Sequence, residues 1–328
     1  MVWMKFLLSS VIIIVAAIKL AEYGDYISIR TGLGRMFIGL ILMAGATSLP
    51  EVLTSINAIQ FGVPDLAAGN IFGSNMFNML MIGVLDLLHH RKRILRKIAN
   101  RHALSGSLTT LLIGLGILFV FSDIDIQIGW VGLDSLVLIS VYIISLWILK
   151  NDSAAPVEPV DESELDNIPS LTKSILGFSI ATIALIFIMP VLVDSSSEIA
   201  EITGLGAGFV GTTLVSFVTS LPEVVTTIAA VRLGAYDMAV GNLFGSNMFN
   251  IFSLGIADFF MLDGRFLQVI SPEFVLVGLI GLIMTILALV GNVAKLERKF
   301  WLIEIDAFLL ILIYLIGLWM IYSQGISV

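Results

Sequence analysis

The chain has 328 residues, 58% of them hydrophobic, with a mean hydropathy of +1.04, which is more apolar surface than a soluble domain of that length encloses. The composition is therefore that of a polytopic membrane protein. A net charge of −8 with a pI near 4.8 argues against nucleic acid as a partner, and the absence of cysteine removes disulfide, thiolate and cysteine–metal chemistry.

Hydrophobic stretches long enough to cross a core of ~30 Å begin at residues 4–22. Lys5 ahead of that first run gives it the look of a signal peptide, but a partner for it in the second half argues that it is retained. The next runs are 36–61, 66–88, 103–122 and 126–149. His89, His90 and His102 flank a basic linker among them, where a solvated interfacial role is expected rather than a metal site. Residues 151–170 are rich in Pro, Ser and acid (Asp152, Pro156, Glu158, Pro159, Asp161, Glu162, Glu164, Asp166) and read as a solvated cytoplasmic tether. Five further runs follow at 171–193, 207–231, 238–262, 272–293 and 300–322. The expectation is an all-α integral membrane protein of ten transmembrane helices, with a first five-helix unit at 1–150 and a second at 171–328.

One offset, 172, relates the two halves. It carries Thr47-Ser48-Leu49-Pro50-Glu51 to Thr219-Ser220-Leu221-Pro222-Glu223, Asp65 to Asp237, and Gly69-Asn70 to Gly241-Asn242. Gly73-Ser74-Asn75-Met76-Phe77-Asn78 maps without a difference onto Gly245-Ser246-Asn247-Met248-Phe249-Asn250, and Asp134, Tyr142 and Trp147 map onto Asp306, Tyr314 and Trp319. Such a gap-free match is an internal repeat. Five spans are an odd number, so the second unit enters the membrane from the opposite side, as in the inverted repeats of secondary transporters. With the amino terminus outside, only Lys5 and Arg265 of the 17 Lys and Arg fall on the outer side. The positive-inside rule then makes both termini extracytoplasmic.

The repeated segments carry the chemistry. Proline lacks a donor, so Pro50 frees the carbonyl of Ala46 and Pro222 that of Val218; unwound backbone at membrane depth is tolerated where it lines a cavity and can coordinate cations. Thr47, Glu51 and Thr54 or Ser55 share one helical face, as do Thr219, Glu223 and Thr226 or Thr227. On the following helices Asn70, Ser74 and Asn78, and Asn242, Ser246 and Asn250, recur every fourth residue. Carboxylate, hydroxyl, amide and carbonyl oxygens without nitrogen or sulfur ligands suit hard cations such as Ca²⁺ and Na⁺. No Lys, Arg or His lies in these spans to compensate Glu51 and Glu223, so a mobile cation is their natural partner. Asn75 and Asn247 lie off the stripe and read as packing or support for it, and Gly69, Gly73, Gly241 and Gly245 as points of close helix approach.

These two blocks, centred on 44–78 and 216–250, resemble the alpha repeats of the cation/Ca²⁺ exchanger superfamily and look most like its sodium/calcium exchanger branch. The Gly-Asn-x-x-Glu context of the proton/calcium branch is absent around both glutamates. The resemblance implies that Glu51 and Glu223 are the shared carboxylate ligands. It assigns hydroxyl or carbonyl oxygens to Thr47, Thr219, Ser48, Ser220, Ser74 and Ser246, carbonyls to Ala44 and Ser216, and the central position to Asn78 and Asn250. Two departures stand out: Ala46 and Val218 replace the Gly that often precedes the Thr-Ser pair, and Asn250 replaces an Asp found in some archaeal and potassium-dependent relatives. Only two carboxylates remain in the central site.

The implied activity is Na⁺/Ca²⁺ antiport by alternating access in a cell membrane, with no cofactor and no obligatory protein partner beyond the bilayer. Helices 1 and 6 would slide across a rigid core of helices 2, 3, 7 and 8, a motion suited to helices without buried charge. The alternative within the superfamily is H⁺/Ca²⁺ exchange, with Ca²⁺ released when the glutamates protonate. An intramembrane aspartyl protease is the contrasting class, disfavoured because the acids are glutamates beside prolines amid cation-type oxygens. A channel would need both gates open together.

Overall fold

A computed structural model describes residues 1–88, 94–122, 124–152, 168–202, 217–262, 264–294, 299–300 and 303–323. Apart from two tiny hairpins, the described residues form helices and short connections. The helices are α1 (Val2–Thr31), α2 (Arg35–Gln60), α3 (Pro64–Leu88), α4 (Ile94–Ser122), α5 (Leu133–Asp152), α6 (Leu171–Ile202), α7 (Leu221–Arg232), α8 (Tyr236–Asp258), the short α9 (Phe266–Val269), α10 (Phe274–Ala294) and α11 (Ile305–Ser323). The hairpins pair β1 (Gln127–Ile128) with β2 (Val131–Gly132) and β3 (Lys299–Phe300) with β4 (Ile303–Glu304).

Eight described helices are long and apolar enough to cross a membrane. The expected spans at 207–231 and 238–262 are not among them, for different reasons. Residues 203–216 are not described, leaving α7 with 12 residues. The 23-residue α8 is diluted by Asp, Ser and three asparagines, which it can carry because protein rather than lipid surrounds it: every position from Met238 to Met248 is buried. The runs expected to begin at 126 and 300 instead open with the hairpins, and their helices start at Leu133 and Ile305.

The offset of 172 also relates structural boundaries. Gln60 and Arg232 end helices, Pro64 and Tyr236 begin them, and the two hairpins and the first residues of the helices after them correspond residue for residue. Phe77 meets Tyr314 edge-on with ring centroids 6.3 Å apart, and their counterparts Phe249 and Tyr142 do so at 6.1 Å.

The core is α2, α3, α7 and α8, with α8 packed against α2, α3, α4, α5 and α7. Of the most apolar stretch of α3, 72% is buried, against 22% in α6, whose remaining surface is apolar and outward-facing as a lipid-contacting helix requires. α1 lies chiefly along α6 and also touches α7. Contact is close there, because the Tyr23 ring sits where a Cβ on Gly177 would be.

Buried charge in α1 runs against expectation. Asp25 is 6% exposed and takes Arg35, at the start of α2, through Nε at 2.6 Å and Nη2 at 3.1 Å. Burial costs a lone carboxylate several kcal/mol, and this two-pronged pairing offsets it. Arg30, near the end of α1, donates to the carbonyls of Ile168 at 2.7 Å and Pro169 at 3.0 Å, tying α1 to the entry of α6. His102 is also not solvated: it is 1% exposed, stacks on Phe244, and its Nε2 lies 3.5 Å from Asp237 Oδ1. His89, His90 and most of the acidic tether lie outside the described residues. Arg265 is 1% exposed, 3.9 Å from Asp134, beside Asp258, which accepts from the Gly132 and Phe266 amides.

Candidate functional site

The local fold of α2 sets the site. Residues Ile38–Met43 form a π-helical turn, and regular α-helix resumes at Ala44 and continues through Pro50 to Gln60. The irregularity expected at Pro50 thus lies about two to three turns upstream, where Gly39 has no side chain to obstruct the Met238 backbone of α8. A π turn inserts one residue into the helical ladder and re-aims the side chains beyond it. In the second unit the interruption does fall within the motif: Ser220 has φ −82° and ψ 5°, and α7 starts after it with Pro222 near its first position, where a missing N–H costs least.

The two helix pairs then interlock across the repeat. Thr219 Oγ1 donates to Asn70 Oδ1 at 3.0 Å, and its counterpart Thr47 Oγ1 lies 3.4 Å from Asn242 Oδ1. Asn242 Nδ2 in turn donates to Thr226 and Thr227, both at 3.2 Å. Ser220 Oγ donates to Ser74 Oγ at 3.0 Å, and Thr47 Oγ1 is 3.5 Å from Ser246 Oγ. Ser48 Oγ donates to Glu223 Oε1 at 3.0 Å. Glu51 and Glu223 are each 1% exposed.

Among the buried oxygens that this network leaves over, five carboxylate and amide oxygens of the two motifs define the candidate site. Both carboxylate oxygens of Glu51, Glu223 Oε2, Asn78 Oδ1 and Asn250 Oδ1 are buried without a hydrogen-bond partner among the described residues. Unpaired buried oxygens of this kind are costly unless something positive meets them. All five are hard oxygen donors, and the described residues hold no group of three or more His, Cys, Asp or Glu that would make an alternative metal centre.

Of the expected residues, Thr47, Ser48, Glu51, Ser74, Asn78, Thr219, Ser220, Glu223, Ser246 and Asn250 are buried on facing helices. Ala44 is buried too, its carbonyl 3.3 Å from Thr47 Oγ1, while Ser216 lies outside the described residues. Between Thr54 and Ser55 the structure favours Ser55, the buried one; on α7 both Thr226 and Thr227 are buried. The π turn and the hydrogen bonds between units were not legible in the sequence, since spacing along a helix says nothing about which helix faces it.

Pro50→Ala supplies the N–H that Ala46 lacks. Thermal stability is expected to hold or rise by about 1 kcal/mol, the worth of one regained helical hydrogen bond. A lower melting temperature would mean that the ring of Pro50 is needed for packing.

The sequence pattern of the sodium/calcium exchanger protein family matches residues 1–150 and 173–323, nearly the whole chain. The chain belongs to the sodium/calcium exchanger family. Relatives of this exchanger include an uncharacterised membrane protein of Methanocaldococcus jannaschii, 31% identical over 227 residues that span 68% of this chain and 70% of that one. The sodium/calcium exchanger MaX1 of Methanosarcina acetivorans is 25% identical over 291 residues, 76% of this chain and 82% of its own. In fold, this exchanger matches the solved sodium-calcium exchanger NCX_Mj with a TM-score of 0.70 at 23% identity, covering 97% of this chain and 98% of the other. The family is one of membrane transporters and not of enzymes.

Proposed function

We propose that this exchanger moves Ca²⁺ against Na⁺ by alternating access, the two ions competing for one oxygen cluster built on Glu51 and Glu223. The observation that carries the reading is the set of five buried oxygens without a partner among the described residues, three from carboxylates and two from amides, drawn from both repeated motifs. Thr47, Ser48, Ser74, Thr219, Ser220 and Ser246 surround it with hydroxyls, and the Ala44 and Ser216 carbonyls complete the proposed ligand set. The proposed frame is ten transmembrane helices in two inverted units, 1–150 and 171–328, joined by the acidic tether, with both termini extracytoplasmic. α1 and α6 move as a pair over the four-helix core, and Asp25–Arg35 is the contact that this sliding has to break or carry along.

Two ionised glutamates balance one Ca²⁺, whereas three Na⁺ would leave an excess of one positive charge, so exchange responds to membrane potential if that is the count. The decisive assay is ⁴⁵Ca²⁺ uptake into proteoliposomes under an imposed Na⁺ gradient at fixed pH and clamped potential. Uptake driven by a pH gradient without Na⁺ would transfer the reading to H⁺/Ca²⁺ exchange. The resemblance implies an acid at the position of Asn250 in the potassium-dependent branch, so with the amide here uptake is expected to be the same in K⁺ and in choline. A strict K⁺ requirement would mean that an amide can hold the position assigned to an acid.

A further inference from the structure

Two asparagines beside the cluster are not ligands in this scheme, yet they contact the two that are. Asn75 and Asn247 are each 1% exposed or less and lie between α3 and α8. Asn247 Nδ2 donates to the backbone carbonyl of Asn75 at 3.2 Å. A carbonyl only accepts, so the Asn247 amide has one orientation. Its Oδ1 consequently faces α3, where Asn78 Nδ2 donates to it at 2.9 Å, and Asn78 Oδ1 is the atom left without a partner.

The counterpart pair has no such anchor. Asn250 Nδ2 donates to Asn75 Oδ1 at 3.0 Å, but Asn75 Nδ2 has no hydrogen-bond partner among the described residues. Half a turn of the Asn75 amide would exchange acceptor for donor toward position 250 without losing any other hydrogen bond. The same half-turn at Asn247 would set its Oδ1 against the Asn75 carbonyl oxygen and its Nδ2 against Asn78 Nδ2.

We propose that Asn247 and Asn75 are positioning residues of unequal kind, Asn247 a locked acceptor and Asn75 a reversible one. Position 78 therefore admits an amide but not a carboxylate, and position 250 admits either. The charge of the cation cluster is adjustable through the second repeat alone, although the motif sequences are identical. This rests on the reading of Glu51, Glu223, Asn78 and Asn250 as the cation cluster.

The test compares Asn78→Asp with Asn250→Asp, which add the same charge to the same cluster. Purified variants would be assayed for Ca²⁺-dependent thermal stabilisation and for the Ca²⁺ dependence of uptake. Asn250→Asp is expected to keep a Ca²⁺ response, with altered cation preference, because Asn75 turns to donate. Asn78→Asp should weaken apparent Ca²⁺ affinity by at least about tenfold relative to Asn250→Asp, its carboxylate being held against Asn247 Oδ1. Second substitutions read the coupling directly: Asn247→Ala should restore part of what Asn78→Asp loses, whereas Asn75→Ala should further weaken Asn250→Asp. A pair serving only as packing would not give opposite signs. If Asn78→Asp alone is not recovered folded, its recovery with Asn247→Ala is the expected outcome and non-recovery overturns the proposal. Equal behaviour of the two Asp variants also overturns it. Glu51→Gln separates the two levels: if it keeps its Ca²⁺ response, the cluster itself is misassigned; if it loses it, equal Asp variants sink the asymmetry alone.

Discussion

Glu51→Gln and Glu223→Gln are each expected to abolish Ca²⁺ exchange in protein that remains folded. Each glutamate is buried, and Glu51 has neither carboxylate oxygen satisfied by the described residues. The amide keeps the shape but cannot balance a dehydrated divalent ion. Removing one partner of a buried charge pair costs about 3–5 kcal/mol, or roughly 10²- to 4 × 10³-fold in affinity. The free protein should not suffer comparably, since without an ion the carboxylate is itself the costly group. The check is paired: Ca²⁺ uptake in proteoliposomes, and the melting temperature in detergent without Ca²⁺. Glu223 also accepts from Ser48, so Glu223→Gln is expected to shift stability more than Glu51→Gln. Transport retained in both variants would remove the carboxylates from the centre of the mechanism.

Gly245→Ala should be nearly as damaging, by a different route. A Cβ at Gly245 would overlap the Leu40 carbonyl in the π turn and come within 2.7 Å of the Ala44 Cβ. Backbone cannot rotate aside as a side chain does, so α2 and α8 must separate, at a cost of about 1–3 kcal/mol or more. The next residue is Ser246, against Thr47, so the separation opens the cluster as well as the packing. Transport is expected to fall at least about tenfold together with a lower melting temperature, because ligand geometry tolerates only about 0.5 Å. Gly45→Ala is the control. Its nearest neighbour would be Phe249 Cε2 at 3.9 Å, ordinary contact, and both readouts should stay near the parent protein. Equal sensitivity of the two positions would mean that backbone freedom, not the approach of α2 to α8, is what glycine supplies.

Only the second pair of motif glycines has its packing described. Gly241 approaches the Met36 carbonyl and Gly245 that of Leu40. The residues 172 further on from Met36 and Leu40 lie in 203–216, outside the described residues.

By itself the sequence determined the membrane class, the positions of most long helices and the internal repeat. These depend on local quantities: apolar run length against a fixed bilayer thickness, and identity at a constant offset. It also picked out Glu51 and Glu223 as acids inside apolar helices, because a charge there stands out against its neighbours. Local reading failed where the surroundings are protein. The expected span at 238–262 holds three asparagines, and nothing local shows that other helices enclose α8 and so let it carry them. Asp25 lies beyond the expected first span of 4–22 and His102 beside an expected solvated linker, and both are buried because their partners Arg35 and Asp237 come from other helices. The π turn at Ile38–Met43 arises where Gly39 meets the Met238 backbone, a contact between residues 199 apart in the chain. Above all, two identical motifs gave no hint that Asn247 is anchored and Asn75 is not. A hydrogen bond has a direction, and only tertiary structure decides which of two equivalent amides meets a carbonyl that cannot turn.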